Sequence, residues 1–346
     1  MSPSEELSER EQRVLAASVQ TYIETAEPAG SQMVARRSGL GISPASIRAT
    51  MSELETKGYL FHKHTSSGRI PTDLAYRTYV DTLMRHAPPS RAARETLFAE
   101  LGGRRSTVDL VLRRAAQVLG VLTQELGVAV GPALDEAVLE RLELIPVASD
   151  RLLLVFSLQS GVARTIFVEV AGALAAEVVQ QVARILNDRL AGLPLRVIRA
   201  SLPERLRDAD GTGQGTELLN IFIAQGEELF QLGAHDSEVV LGSATVLAEQ
   251  PEFATSNDRM RELLELTDQR GRLHRALAER RTGGLTITIG SENPDPRLAG
   301  FTLITSAYRR GELSGVIGVL GPTRMPYDKI IGLVEHTSRL VEDLLE

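Results

Sequence analysis

From Ser8 to Ala26 the apolar and small positions Val14, Leu15, Ser18, Val19, Tyr22, Ile23 and Ala26 recur at helical spacing, with polar residues between them. The run opens on Ser8-Glu9-Arg10-Glu11, a hydroxyl followed three residues later by a carboxylate, which is the form of a capping box. The pattern predicts a helix over 8–26, broken by Pro28-Ala29-Gly30. A short second helix is predicted from Ser31, as its cap, through Arg37 to Gly39, and Leu40-Gly41-Ile42 reads as a turn. Ser43-Pro44 opens a third helix, serine at the N-cap and proline where it is tolerated, at the first helical position. On it Ile47, Met51 and Leu54 lie at i, i+4 and i+7 and form one apolar stripe. Ala45, Arg48, Ala49 and Ser52 then fall on roughly the opposite face, with Ser46 beside them. Small side chains with one arginine are what a helix needs to enter the major groove of DNA. Tyr59 to His64 alternates apolar with basic residues and reads as a strand, Thr65-Ser66-Ser67-Gly68 as a turn, and Arg69-Ile70-Pro71-Thr72 as the return. Three helices and a basic hairpin are the order of a winged helix-turn-helix.

Beyond it, a helix is predicted from Leu74 to Leu83, and His86-Ala87-Pro88-Pro89-Ser90 reads as the start of a linker. Helical spacing returns over 91–126, interrupted at Gly102-Gly103. The pattern then changes to strands at 128–130, 142–147, 152–157 and 165–170, the last two forming a hairpin. A helix from Leu174 to Leu190 follows, then a polar, glycine-rich connection from Pro203 to Gly215, and helices at about 216–231 and 257–281. Strands at 285–290, 301–308 and 313–320 and a helix from Pro326 close the chain. This pattern predicts an α+β fold, an antiparallel sheet with helices packed on one face.

The 346 residues suffice for two or three domains, and 43% apolar with 24% charged residues is globular composition. No run approaches the roughly 18 apolar residues of a membrane span, the acidic N-terminus is unlike a signal peptide, and cysteine is absent. A soluble, cytoplasmic protein without thiolate chemistry is expected. The net charge of −7 does not suggest a nucleic-acid binder, but the window from Ser31 to Thr72 holds six basic residues (Arg36, Arg37, Arg48, Lys57, Lys63, Arg69) against Glu53 and Glu55. Positive charge is therefore gathered on the segment with the helix-turn-helix order.

Catalytic constellations are missing from the sequence. His62 and His64 would share one face of a strand, as a metal pair must, but no third ligand lies nearby and the basic hairpin accounts for both. Gly211-Thr212-Gly213-Gln214-Gly215 follows no strand and lacks the lysine of a phosphate loop. The other histidines are dispersed, and neither an enzyme nor a cofactor is expected.

Two blocks carry a resemblance. The first runs from Gly30 to Thr72, above all Ser43-Pro44-Ala45-Ser46-Ile47-Arg48-Ala49-Thr50-Met51-Ser52-Glu53-Leu54-Glu55 and Ser66-Ser67-Gly68-Arg69-Ile70-Pro71-Thr72. The second joins Ile289-Gly290-Ser291-Glu292-Asn293-Pro294 to Gly318-Val319-Leu320-Gly321-Pro322-Thr323-Arg324-Met325-Pro326-Tyr327, with Gln250-Pro251-Glu252-Phe253 as a smaller match. Together they closely resemble the heat-inducible transcription repressor HrcA family, over nearly the whole chain. One departure is Pro326, where the family usually has an acidic residue before Tyr327.

The resemblance implies a bacterial repressor of groE- and dnaK-type chaperone operons. It would bind an inverted repeat (CIRCE) as a homodimer, be kept active by the GroE chaperonin and lose DNA binding on heat shock. It implies a winged-helix domain at 1–86, a linker at 87–104, a GAF-like domain from 105–150 and 236–346, and an inserted dimerising domain at 151–235. The DNA contacts expected are Ser43, Ala45, Ser46, Arg48, Ala49 and Ser52 from the third helix and Lys63, Ser67, Gly68 and Arg69 from the wing. The rival expectation is a winged-helix regulator that senses a small metabolite in the GAF-like domain.

Overall fold

The computed structural model describes residues 7–62, 68–85, 87–102, 108–132, 134–209, 213–230, 239–311 and 313–345. The head begins with α1 (Glu9–Thr25), whose capping box is complete: Ser8 Oγ accepts from the Glu11 N–H and Glu11 Oε2 accepts from the Ser8 N–H at 2.8 Å. Helix α2 (Ser31–Ser38) has Gly30 as its N-cap, so Ser31 is its first helical residue and not the cap. Helix α3 (Pro44–Thr56) is capped by Ser43 Oγ, which accepts from the Ser46 N–H at 3.2 Å. Ile47, Met51 and Leu54 are fully buried in one apolar cluster with Val14, Leu15 and Val34 of the two preceding helices. Strands β1 (Leu60–Phe61) and β2 (Ile70–Pro71) pair antiparallel and are shorter than the alternation from 59 to 64 predicts; Lys63, His64 and the turn as far as Ser67 lie outside the described residues. Helix α4 (Asp73–Thr78), capped by Thr72, widens into a π-helical turn over Tyr79–Leu83.

Helix α5 (Arg91–Leu101) occupies most of the stretch expected as a linker, because Leu97 and Leu101 bury one side of it. Then come α6 (Val108–Thr123), β3 (Leu126–Val130), β4 (Leu139–Ala148), β5 (Arg151–Leu158), β6 (Ala163–Glu169), α7 (Ala176–Leu190), α8 (Leu195–Leu206) and α9 (Gln214–Leu229). Strands β4, β5 and β6 form a separate antiparallel sheet. The boundary expected at residue 150 therefore falls between two paired strands, and β4 belongs with β5. Asn187 of α7 holds the open edge of β4: its Oδ1 accepts from the Leu142 N–H at 2.8 Å and its amide donates to the Leu142 carbonyl at 2.7 Å. Helix α8 corrects the start of the connection expected over 203–215, as far as Leu206; Asp210, Gly211 and Thr212 lie outside the described residues. Pro203 sits in the last turns of α8, where it removes one hydrogen bond, while Leu195, Ile198, Leu202 and Leu206 bury the helix.

The chain then returns through β7 (Val240–Leu241), α10 (Thr245–Ala248), α11 (Pro251–Ala254), α12 (Asn257–Asp268), α13 (Arg270–Ala278), β8 (Leu285–Ile289), β9 (Phe301–Arg310), β10 (Leu313–Pro322) and α14 (Tyr327–Leu345). The single helix expected over 257–281 is two, divided at Gln269, whose ψ is 55°. Five strands form an antiparallel sheet in the order β7-β3-β10-β9-β8. Helices were expected on one face only, and both faces are covered. Ala129, Ile304, Tyr308, Ile317 and Val319 share a cluster with α6 and α14, whereas Leu126, Val128, Phe301, Leu303 and Val316 share another with α12 and α13. The inner strands alternate between two apolar cores, so they read as continuous apolar runs. Among the described residues, no helix is long and apolar enough to cross a membrane and no group of acidic and histidine side chains is placed to hold a metal ion.

Candidate nucleic-acid interface

The outer face of α3 is the one its periodicity predicts. Ala45, Arg48, Ala49 and Ser52 are all exposed, opposite Ile47, Met51 and Leu54. Ser43 is exposed at the cap and donates to Ser46 Oγ at 3.1 Å. Ser46 is half-buried, and its carbonyl accepts from Thr50 Oγ1 at 3.2 Å and from the Arg10 guanidinium at 3.1 Å. Arg10 thus stands beside the N-terminal turn of α3, and Arg13, one turn further along α1, donates to the Leu40 carbonyl at 3.5 Å. Both arginines are exposed and extend the basic surface past the window where the sequence concentrates it. Their signal was the i, i+3 spacing on the polar side of α1.

The hairpin side chains are less free than a basic loop suggests. Glu55, near the end of α3, receives Arg69 Nε at 3.0 Å and also pairs with His62 Nδ1. Desolvation, the largest single influence, raises its carboxyl, but the bonds and charges of His62 and Arg69 together outweigh it and hold the carboxyl below the ordinary value. Arg69 also exchanges two backbone hydrogen bonds with Ala29, at 2.8 and 3.0 Å. A Cβ at Gly68 would come within 2.3 Å of the Pro28 carbonyl oxygen, so only glycine lets this strand lie flush on the loop after α1. Gly68 and Arg69 are therefore structural members of the hairpin, whereas Lys63 and Ser67 lie outside the described residues.

Glu11 ties the ends of the head together. Besides its capping role it accepts Lys57 Nζ at 2.8 Å, which joins the start of α1 to the C-cap of α3. Hydrogen bonds from Lys57 and Ser8 hold its carboxyl down at about 2.

The second sequence block forms the contact between head and core. Asp73, at the start of α4, accepts from the N–H and the hydroxyl of Ser291, both at 2.9 Å. Gly290, at φ +54°, leaves room for that carboxylate, which a Cβ would approach to 2.2 Å. Arg77, one turn on, donates Nε to Glu292 Oε1 at 2.8 Å and Nη2 to the Ile287 carbonyl at 2.8 Å. From the end of β10, Arg324 pairs with Glu252 and donates to the Ile23 carbonyl at 2.8 Å. Gln250 donates to Glu125 at 2.9 Å, and burial pushes the Glu125 carboxyl well above the usual carboxylate range. The three matching segments thus meet at one junction, with Tyr76 of α4 and Tyr327 of α14 in ring contact at 5.9 Å. Pro326 contributes a carbonyl, which accepts from the Ile330 N–H at 3.1 Å.

A family profile described as the HrcA protein C-terminal domain matches residues 109–331. The heat-inducible transcription repressor HrcA of Chlorobium luteolum is 35% identical over 347 residues, covering 96% of each chain. Its counterpart in Syntrophobacter fumaroxidans is 35% identical over 99% of this chain and 98% of its own. A crystal structure described as that of a hypothetical protein superposes with a TM-score of 0.65 over 98% of this chain and 99% of its own, and at 23% identity it supports the fold alone. With relatives this similar over nearly its full length, the chain belongs to the HrcA family of heat-inducible transcription repressors.

Proposed function

We propose that the head is a winged helix-turn-helix that reads an inverted-repeat operator (CIRCE) of groE- and dnaK-type operons, with α3 in the major groove. The observation that carries this is the exposed face of Ala45, Arg48, Ala49 and Ser52. Two alanines and a serine allow close approach to base edges, and Arg48 supplies the bidentate donor that most often recognises guanine. Ser43 and Ser46 frame the helix start at the sugar-phosphate backbone. Lys63, Ser67, Gly68 and Arg69 would supply the wing, with Arg69, oriented by Glu55, and Lys63 contacting phosphate or the minor groove. The five-stranded sheet with α6, α14, α12 and α13 is the GAF-like core, and residues 134–230 are the inserted dimerising unit.

An inverted repeat calls for a two-fold protein. The three-stranded sheet offers a surface for it: Ile145, Leu153 and Phe167 are cross-strand partners on the face away from α7, and Ile145 and Phe167 are 43% and 60% exposed. A second copy seated there would cover the apolar row. Heat would act through loss of the repressor's own fold, since multidomain chains tend to unfold irreversibly, and GroE would restore molecules that expose apolar surface.

Titration of the operator tests the reading head. Arg48→Ala is expected to weaken binding by about 1–3 kcal/mol and to relax specificity at one position. Lys63→Ala is expected to weaken all DNA alike and to reduce the salt slope by about one. Unchanged operator affinity in Arg48→Ala would show that α3 does not read the groove. For the heat response, repressor is warmed, returned to low temperature and assayed for operator binding with and without chaperonin and ATP. Full recovery without chaperonin would sink that mechanism.

A further inference from the structure

Arg280, in the turn after α13, is 9% exposed, and among the described residues no carboxylate lies within ion-pair distance of it. Its guanidinium is held by hydroxyls alone: Nη2 donates to Thr288 Oγ1 at 2.5 Å and Nη1 to Thr305 Oγ1 at 3.5 Å. Thr286, the cross-strand partner of Thr305, completes a polar notch on the sheet face that elsewhere buries leucine and phenylalanine. The notch is built with care for direction. Asn293 spends its amide on the carbonyls of Gly290, Leu298 and Phe301, at 2.9, 3.0 and 2.9 Å, which aims its Oδ1 at the Thr288 hydroxyl, 2.6 Å away. Thr288 must then accept from Arg280, so the cation is fixed in place.

A buried guanidinium whose direct partners are all neutral is costly, because hydroxyls replace its hydration only in part. Burial accordingly depresses the Arg280 pKa. Arg280, Thr286 and Thr288 line a cleft of about 680 Å³ between α13 and the 290–298 loop, with Arg272 and Arg275 also on its wall. The acids of that wall are partly committed elsewhere: Glu292 pairs with Arg77, and Asp295 caps the Arg297 N–H at 3.0 Å and faces Arg272 at 4.0 Å. Glu279, exposed and also on that wall, favours the Arg280 charge from a distance but makes no ion pair with it.

We propose that this cleft binds a small anion, a phosphate- or carboxylate-bearing molecule whose charged group sits on Arg280 with Thr286 and Thr288, Arg275 closing over it. The charge-assisted bonds of such a group match the fork of a guanidinium. Because Glu292 forms another part of the same wall, the bound molecule would lie against the residue that joins core to head. The proposal does not depend on DNA binding.

The full chain is titrated with inorganic phosphate and, separately, with succinate, against sodium chloride at matched ionic strength, following thermal unfolding and heat of binding. Saturable stabilisation by phosphate or succinate beyond that of chloride is expected, and the stronger of the two tells whether the group is phosphate or carboxylate. Arg280→Gln is expected to weaken half-saturation by at least about tenfold. Arg275→Gln, at an exposed position that the fold does not need, is expected to weaken it by a smaller factor. Stabilisation no greater than that of chloride for both anions, or the same half-saturation in wild type and Arg275→Gln with Arg280→Gln folded and equally responsive, would overturn the site.

Discussion

Arg324 donates to the carbonyl oxygen of Ile23 at 2.8 Å, and the two residues are 301 positions apart in the chain. That carbonyl belongs to the last turn of α1, where helix carbonyls lack an intrahelical partner. The core thereby supplies the C-terminal partner of the first helix of the head. The same guanidinium pairs with Glu252, so head, α11 and the end of β10 are joined through one side chain.

Arg324→Ala is expected to destabilise the protein by about 2–4 kcal/mol, since it strands a part-buried carboxylate and a helix carbonyl together. Proteolysis around residues 86–90 should become faster as the head loosens. Differential scanning calorimetry that showed an unchanged single transition would remove this contact from the list of those holding head to core.

Glu11 makes the head sensitive to acid. Its carboxyl is held near 2 when folded, against an ordinary value of 4.5, so the unfolded chain takes up a proton first as pH falls. The stabilisation is complete above about 4.5 and is lost on the way down to about 2, and it amounts to on the order of 2–3 kcal/mol. Glu11→Gln should unfold more easily in urea at pH 7 and should lose stability less steeply between pH 4.5 and 2 than the parent. Parallel curves for the two proteins would contradict this.

Glu125 works in the opposite direction. Burial raises its folded pKa, so the folded state keeps its proton after the unfolded chain has lost one. Stability from this group is present at low pH and declines as pH rises through the unfolded value toward the folded one. Glu125→Gln keeps the shape without the titration, and it should raise the melting temperature more at pH 8 than at pH 5. An equal change at both would mean that the carboxylate is charged in place, paired with Arg324.

Phe167→Glu places a charge in the apolar row of Ile145, Leu153 and Phe167 on a residue that is 60% exposed. The fold should survive, with a change near 0.5 kcal/mol as at other surface sites. Light scattering should report a shift from dimer to monomer, and affinity for the full inverted repeat should fall while that for a half-site holds. A dimer that persists with a folded chain would move the interface elsewhere.

Much of the head was legible because its signals are local. Ser8 with Glu11 and Ser43 with Pro44 cap helices whose partners lie three residues away. The stripe of Ile47, Met51 and Leu54 fixes which side of α3 remains outside, whatever it packs against. Local signals failed where packing overruled them. Pro203 opens a stretch that reads as a polar connection, but the buried side chains of α8 carry the helix through it to Leu206. Leu142 to Val147 reads as a strand without saying which sheet it joins, and its pairing with β5 settles that.

The sequence by itself determined the caps at Ser8 and Ser43, the exposed face of α3 and, through its two long blocks, the family, because each depends on residue type and on spacings shorter than a helical turn or two. The tertiary structure alone decided that both faces of the core sheet are covered and that Arg69 belongs to Glu55. It also decided that Arg77 meets Glu292, that Arg324 meets Ile23, and that Arg280 is buried against threonine hydroxyls. A guanidinium in a sequence carries the same charge wherever it stands. Which carboxylate, carbonyl or cleft it faces is set by chain segments up to 301 residues away, and no periodicity reaches that far.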